Sequence, residues 1–100
     1  MNNRKIKVTL LGNIKNNKAS DQIIEIRRFD VPQEQKELTY LTEKIVSLFD
    51  PGYCGIKMYW QDKDLDYIRI ESNEELNIAL AEMKAEDGIY KFFVCEYIIG

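Results

Sequence analysis

Two clusters of ionisable side chains hold most of the chemistry this sequence can offer. Asp62, Asp64 and Asp66 alternate, with Glu74 and Glu75 shortly after, while Lys7 and the adjacent pair Arg27 and Arg28 lie in the first third of the chain. Carboxylates at every second position of an extended backbone point the same way and concentrate negative potential in one patch. A calcium loop also opens D-x-D-x-D, but it needs glycine at its sixth position and a bidentate glutamate at its twelfth. Tyr67 and Asn73 stand in those places, so the calcium reading fails. General acid–base work by paired carboxylates needs a cleft that drives their pKa values apart, and nothing in the sequence predicts one. An acidic docking surface remains, set against a solvated turn with ordinary surface acids. The residues alone leave these two evenly matched, and for Glu75 helix capping is explanation enough.

The basic set divides in the same way. Arginine's planar fork meets carboxylates bidentately, which suits a docking face. An edge strand charged to resist aggregation is the plain alternative. It accounts for Lys5 and Lys7 better than for adjacent arginines placed where a strand pattern slips. A phosphate or anionic-lipid site would want a glycine-rich loop or a basic amphipathic helix, and neither is present.

The elements that carry these residues follow from hydrophobic spacing. Lys5 to Leu10 alternates polar and apolar, as a half-buried strand does. Gly12 to Ser20 reads as a loop, and a second strand runs near Gln22 to Asp30. There Ile24 and Ile26 share a face, but the apolar set resumes one residue late, at Phe29 and Val31. A β-bulge at Arg27-Arg28 is expected to absorb the slip and turn both guanidiniums to solvent. With the first two strands paired as a hairpin, Lys7, Arg27 and Arg28 would converge.

Leu38, Leu41, Ile45, Leu48 and Phe49 predict a helix over about 36–49, stopped by Asp50-Pro51-Gly52. Gly55 to Trp60 forms a third strand with Ile56, Met58 and Trp60 on one side, and Tyr67 to Ile70 a short fourth. Ser72 to Glu75 has the S-x-x-E form of a capping box. It opens a second helix with Leu76, Ala79, Leu80 and Met83 inward, closed by Glu86-Asp87-Gly88. Ile89 to Glu96 is an aromatic-rich final strand. The order is ββαββαβ, an α+β chain.

Bulk properties narrow the function. One hundred residues with 45% hydrophobic content make one domain, residues 1–100, with a single core and no room for a deep cavity. The apolar end, Tyr97-Ile98-Ile99-Gly100, reads as a cut, so an amino-terminal piece of a longer protein is expected. Two cysteines, Cys54 and Cys95, are too few for a disulfide scaffold or a thiolate metal site and are expected to be reduced. No apolar run could span a bilayer and no signal peptide is evident, which makes cytoplasm the expectation. Net charge is −3, yet residues 1–30 hold seven Lys/Arg against three Asp/Glu while residues 61–100 hold four against ten. A nucleic-acid binder would carry a basic excess. Charge separated within one small domain instead favours a partner of complementary charge, and a second copy qualifies. There is no histidine, no nucleophile beside a base and no phosphate loop, so neither an enzyme nor a cofactor is expected.

With those residues in place, the chain resembles the PB-one (Phox and Bem one) domain over about residues 4–96. The likeness rests on the element order, on KVTLLG (Lys7 to Gly12), on EIRRF (Glu25 to Phe29) and on WQDKDLDYIRIESNEEL (Trp60 to Leu76). Within that family the sequestosome-like members, which are selective-autophagy receptors, are the most similar. The resemblance implies a ubiquitin-like β-grasp fold: a mixed sheet with two helices. It further implies an acidic face of Asp62, Asp64, Asp66 and Glu75, with Glu74 beside it, and a basic face of Lys7, Arg27 and Arg28. Family members with both faces chain head to tail into homo-oligomers and filaments, and those with one face recruit a complementary domain, such as that of a kinase or scaffold. Two departures stand out: Asn73 where the sequestosome-like pattern has an acid, and a segment 31–37 of different length, whose conformation is left open. A ubiquitin-like modifier would need a Gly-Gly tail, whereas this chain ends Ile99-Gly100.

Overall fold

The computed structural model describes residues 3–12, 14–15, 18–19, 22–49, 54–83 and 88–98. Five strands form the main sheet: β1 (Asn3–Leu11), β4 (Ile23–Pro32), β5 (Cys54–Gln61), β6 (Tyr67–Ile70) and β7 (Ile89–Ile98), in the order β4-β1-β7-β5-β6. Between β1 and β4 lies a small ladder, β2 (Ile14–Lys15) with β3 (Lys18–Ala19), where the sequence predicts only loop. The β1–β7 pairing at the centre is parallel and the other pairings of the main sheet are antiparallel, giving a mixed sheet.

Two helices, α1 (Leu38–Phe49) and α2 (Asn73–Met83), close one face of that sheet. Strand alternation sends Ile6, Val8 and Leu10 of β1 into the same core as Leu41 and Ile45 of α1 and Leu76 and Ala79 of α2. Met58, Trp60, Ile70, Phe92 and Val94 complete it, as the alternation over 56–60 and the helical spacings predict. The opposite face carries a smaller cluster of Leu11, Ile14, Tyr59 and Cys95, flanked by Tyr67 and Phe93, whose rings meet edge to face at 5.0 Å. On that face Gly55 leaves space for the Tyr97 ring, since an added Cβ would stand 2.5 Å from its Cζ. Cys95 is a buried free thiol. The helix stop at 50–52 and the Cys54 side chain lie outside the described residues.

The expected slip in β4 is real but stands elsewhere. Lys7 pairs with Arg28 and Val8 with Arg27 in an unbroken register, and the irregularity falls where Leu10 pairs with Glu25 but Leu11 with Ile23. Ile24 is the extra residue, so the bulge predicted at Arg27-Arg28 is misplaced. The reason is physical: the apolar spacing groups Ile24 and Ile26 with Phe29 and Val31, yet both isoleucines are exposed. Phe29 and Val31 alone face the core from this strand, and they need no slip.

Candidate functional site

The acidic residues gather at the β6 end of the sheet. Asp62 to Asp66 do not run as an extended strand, so their shared direction does not arise by alternation; they form the closed turn joining β5 to β6. Asp62 organises that turn. Its Oδ1 accepts the N–H groups of Asp64 and Asp66, each at 3.0 Å. Its backbone N–H donates to the Asp66 carbonyl at 3.0 Å, and its carbonyl accepts from Leu65 N–H at 2.9 Å. An Asp side chain bonding its own backbone two residues on is a common turn-maker. One Asp62 oxygen is therefore committed internally, while the carboxylates of Asp64 and Asp66 accept no hydrogen bond from the described residues.

Leu65, at the tip of this turn, has φ of 67°. A side chain with a Cβ costs roughly 1 kcal/mol or more in that left-handed region. The leucine side chain is also 70% exposed, between two aspartates.

Glu75 behaves as the capping reading requires. Its Oε1 accepts the Glu71 N–H at 2.8 Å and the Ser72 hydroxyl at 3.2 Å, while its own N–H donates to Ser72 Oγ at 3.2 Å. Glu74, one residue earlier in the first turn of α2, is exposed and lies beside this box. Asn73 is spent on structure. Its Oδ1 accepts the Leu38 N–H at 2.7 Å and its Nδ2 donates to Glu37 Oε2 at 2.9 Å, so the first residue of α2 caps the start of α1. This tie defines the segment left open in the sequence. Val31 and Pro32 finish β4, a turn follows in which Gln35 N–H donates to the Pro32 carbonyl at 3.0 Å, and α1 begins under a cap borrowed from 35 residues away.

The basic residues occupy the opposite edge. Lys7 and Arg28 are cross-strand partners on the face away from the helices. Lys91 of β7 pairs with Lys7 from the other side. The row Arg28–Lys7–Lys91 thus crosses three adjacent strands, and like-signed side chains in register concentrate positive potential. Lys91 was not singled out in the sequence; only the parallel β1–β7 pairing brings it there.

Arg27 does not join this row. It pairs with core-facing Val8, shares a face with Phe29 and Val31, and sits on the helix side of the sheet. There its Nη2 donates to the Leu48 carbonyl at 3.3 Å and its Nη1 lies 3.2 Å from Glu25 Oε2. A cation at the last turn of α1 complements the carbonyl end of the helix. Two of the three basic residues expected to converge do so, and the third is turned to the other face by simple alternation.

Sheet order separates the two clusters: the acidic turn and α2 cap belong to β6 at one edge, and the Arg28–Lys7 pair to β4 and β1 at the other. Among the described residues no three His, Cys, Asp or Glu side chains could hold a metal ion, and no helix is long and apolar enough to cross a membrane.

No protein-family model and no curated protein matches the chain. Solved structures do. The PB1 domain of AtNBR1, determined by cryo-EM as an L-type filament, shares 19% identity over 99% of this chain and 100% of that one, with a TM-score of 0.60. The PB1 domain of Cdc24p (long form), solved in solution, shares 24% identity over 94% of this chain and 97% of that one, with a TM-score of 0.59. Taken with the strand order and the helices on one face, these likenesses mean that the chain has the ubiquitin-like β-grasp fold of PB1 domains.

Proposed function

We propose that this chain is a protein–protein interaction domain that assembles head to tail, the acidic edge of one copy docking on the basic edge of the next. The observation that carries the reading is the placement of opposite charges on opposite edges of one sheet. Asp64, Asp66 and Glu74 stand exposed or half-buried by β6, and Lys7 and Arg28 by β4 and β1. Two different patches that contact each other form a heterologous interface, which propagates into a ring or filament. The filament formed by AtNBR1 PB1, a domain of the same fold, supports this reading.

In this account Asp62 and Glu75 hold the acidic edge in shape while adding charge, and Arg27 braces β4 against α1. The resemblance to sequestosome-like receptors extends the proposal to a cytoplasmic scaffold in selective autophagy or signalling, with no nucleic-acid or membrane partner and no catalytic step. Either edge alone would equally recruit a domain of this fold bearing the complementary charge.

Light scattering over a concentration and salt series tests the self-assembly. Exposed charge contacts weaken as the Debye length falls from about 10 Å at 0.1 M to about 3 Å at 1 M salt. Oligomers that grow with protein concentration and shrink with salt are expected. A monomer at every concentration in dilute buffer would refute self-assembly.

A further inference from the structure

Charge does not account for Leu65. The turn it occupies would form with less strain around glycine, which adopts a φ of 67° without a Cβ clash. Instead an apolar side chain is held 70% exposed between Asp64 and Asp66. On the opposite edge β4 shows the counterpart. Ile23, Ile24 and Ile26 are 57%, 55% and 46% exposed on an edge strand. Long apolar edge strands pair or aggregate unless something covers them. Ile26 lies on the same face as Arg28, opposite Thr9 and two pairs along from the Lys7–Arg28 pair.

We infer that Leu65 is an apolar knob that seats on the Ile26 strip of a second copy of this chain, so that each acidic–basic junction has a hydrophobic centre. One edge carries a leucine flanked by acids; the other carries isoleucines with Arg28 and Lys7 beyond one end on the same face as Ile26. The two halves are complementary in both charge and polarity, and both belong to this one sequence, which makes a second copy the occupant. The residues that carry most of the binding energy cluster near the centre of an interface, in packed positions that surrounding contacts keep dry. Such a contact also sets register, since charge alone tolerates sliding between neighbouring carboxylates.

The inference rests on the head-to-tail reading, and one titration separates the two. A copy carrying Lys7→Ala and Arg28→Ala keeps only its acidic edge, and a copy carrying Asp64→Ala and Asp66→Ala keeps only its basic edge. These two copies are the parent pair for the test, with isothermal titration calorimetry as the readout. Introducing Leu65→Gly into the acidic-edge copy is expected to weaken binding about tenfold, as loss of a partly buried leucine does. Ile26→Thr in the basic-edge copy should weaken it about fivefold. The two together should be no weaker than the worse single change, because both remove one contact. Thermal melts should show Leu65→Gly as stable as its parent or more so, and Leu65→Asn, which tolerates the same φ, should repeat the binding loss. Affinities unchanged within twofold, in a parent pair that binds, would overturn the apolar contact and leave the two-edge reading standing. A parent pair that does not bind would overturn both.

Discussion

Replacing Asn73 tests whether its side-chain amide, at the start of α2, caps α1. Asn73→Ala removes the acceptor that holds the Leu38 N–H at 2.7 Å and the donor that holds Glu37 at 2.9 Å. Loss of a side-chain cap costs about 0.5–2 kcal/mol. Both bonds are exposed, so water replaces much of what is lost, and the lower half of that range, about 1 kcal/mol, applies. For a domain of this length 1 kcal/mol lowers Tm by roughly 4–8 °C. Asn73→Asp separates the two bonds. It keeps an acceptor for Leu38 but sets a second carboxylate against Glu37, so its melting point should fall between wild type and Asn73→Ala at neutral pH. Thermal melts followed by circular dichroism at neutral pH measure this. An Asn73→Ala protein that melts with wild type would refute the cap, and an Asn73→Asp protein that melts with wild type would refute the Glu37 contact.

Other residues make separable predictions. Asp62→Ala removes the acceptor for two turn N–H groups and should cost about 1–2 kcal/mol. Amide hydrogen exchange at Asp64 and Asp66 should accelerate, while Asp64→Ala leaves exchange at Asp66 unchanged. Arg28→Ala should weaken self-association by light scattering more than Arg27→Ala does, and Arg27→Ala should instead lower stability by under about 1 kcal/mol, in line with an exposed helix-end contact. Burial pushes the Tyr59 phenol above its ordinary value, assisted by Cys95 and opposed by Arg69. Folding therefore favours the neutral phenol, so its contribution is present below the unfolded value of about 10 and is lost as pH rises through the higher folded one. Ultraviolet titration of wild type against Tyr59→Phe should assign to Tyr59 a phenol that ionises above its ordinary value, and a Tyr59 phenol ionising at or below that value would contradict the burial.

Much of this architecture is legible from spacing because the core obeys two periods. Alternation placed Met58 and Trp60, helical spacing placed Leu41, Ile45, Leu76 and Ala79, and the capping box at Ser72 and Glu75 formed as read. The pattern misleads at residues whose local spacing competes with tertiary context. Ile24 and Ile26 look like core residues, and only their exposure shows that the slip lies at Ile24. The three aspartates alternate in sequence, but Asp62 bends its own backbone, and a turn has no period of two. Arg27 and Arg28 look like a unit until pairing with Val8 and Lys7 sends them to opposite faces. The Asn73–Leu38 cap and the place of Lys91 beside Lys7 depend on long-range pairings that no local spacing encodes.

Sedimentation velocity on mixed face variants reaches the central claim most directly. Protein carrying Lys7→Ala and Arg28→Ala, and protein carrying Asp64→Ala and Asp66→Ala, are each run alone and then together in dilute buffer. Each alone should sediment as a folded monomer, and the equimolar mixture as a heterodimer and nothing larger, because one intact acidic edge meets one intact basic edge. A mixture that stays monomeric, with both variants folded and the unmodified chain oligomeric, would contradict docking through these two edges.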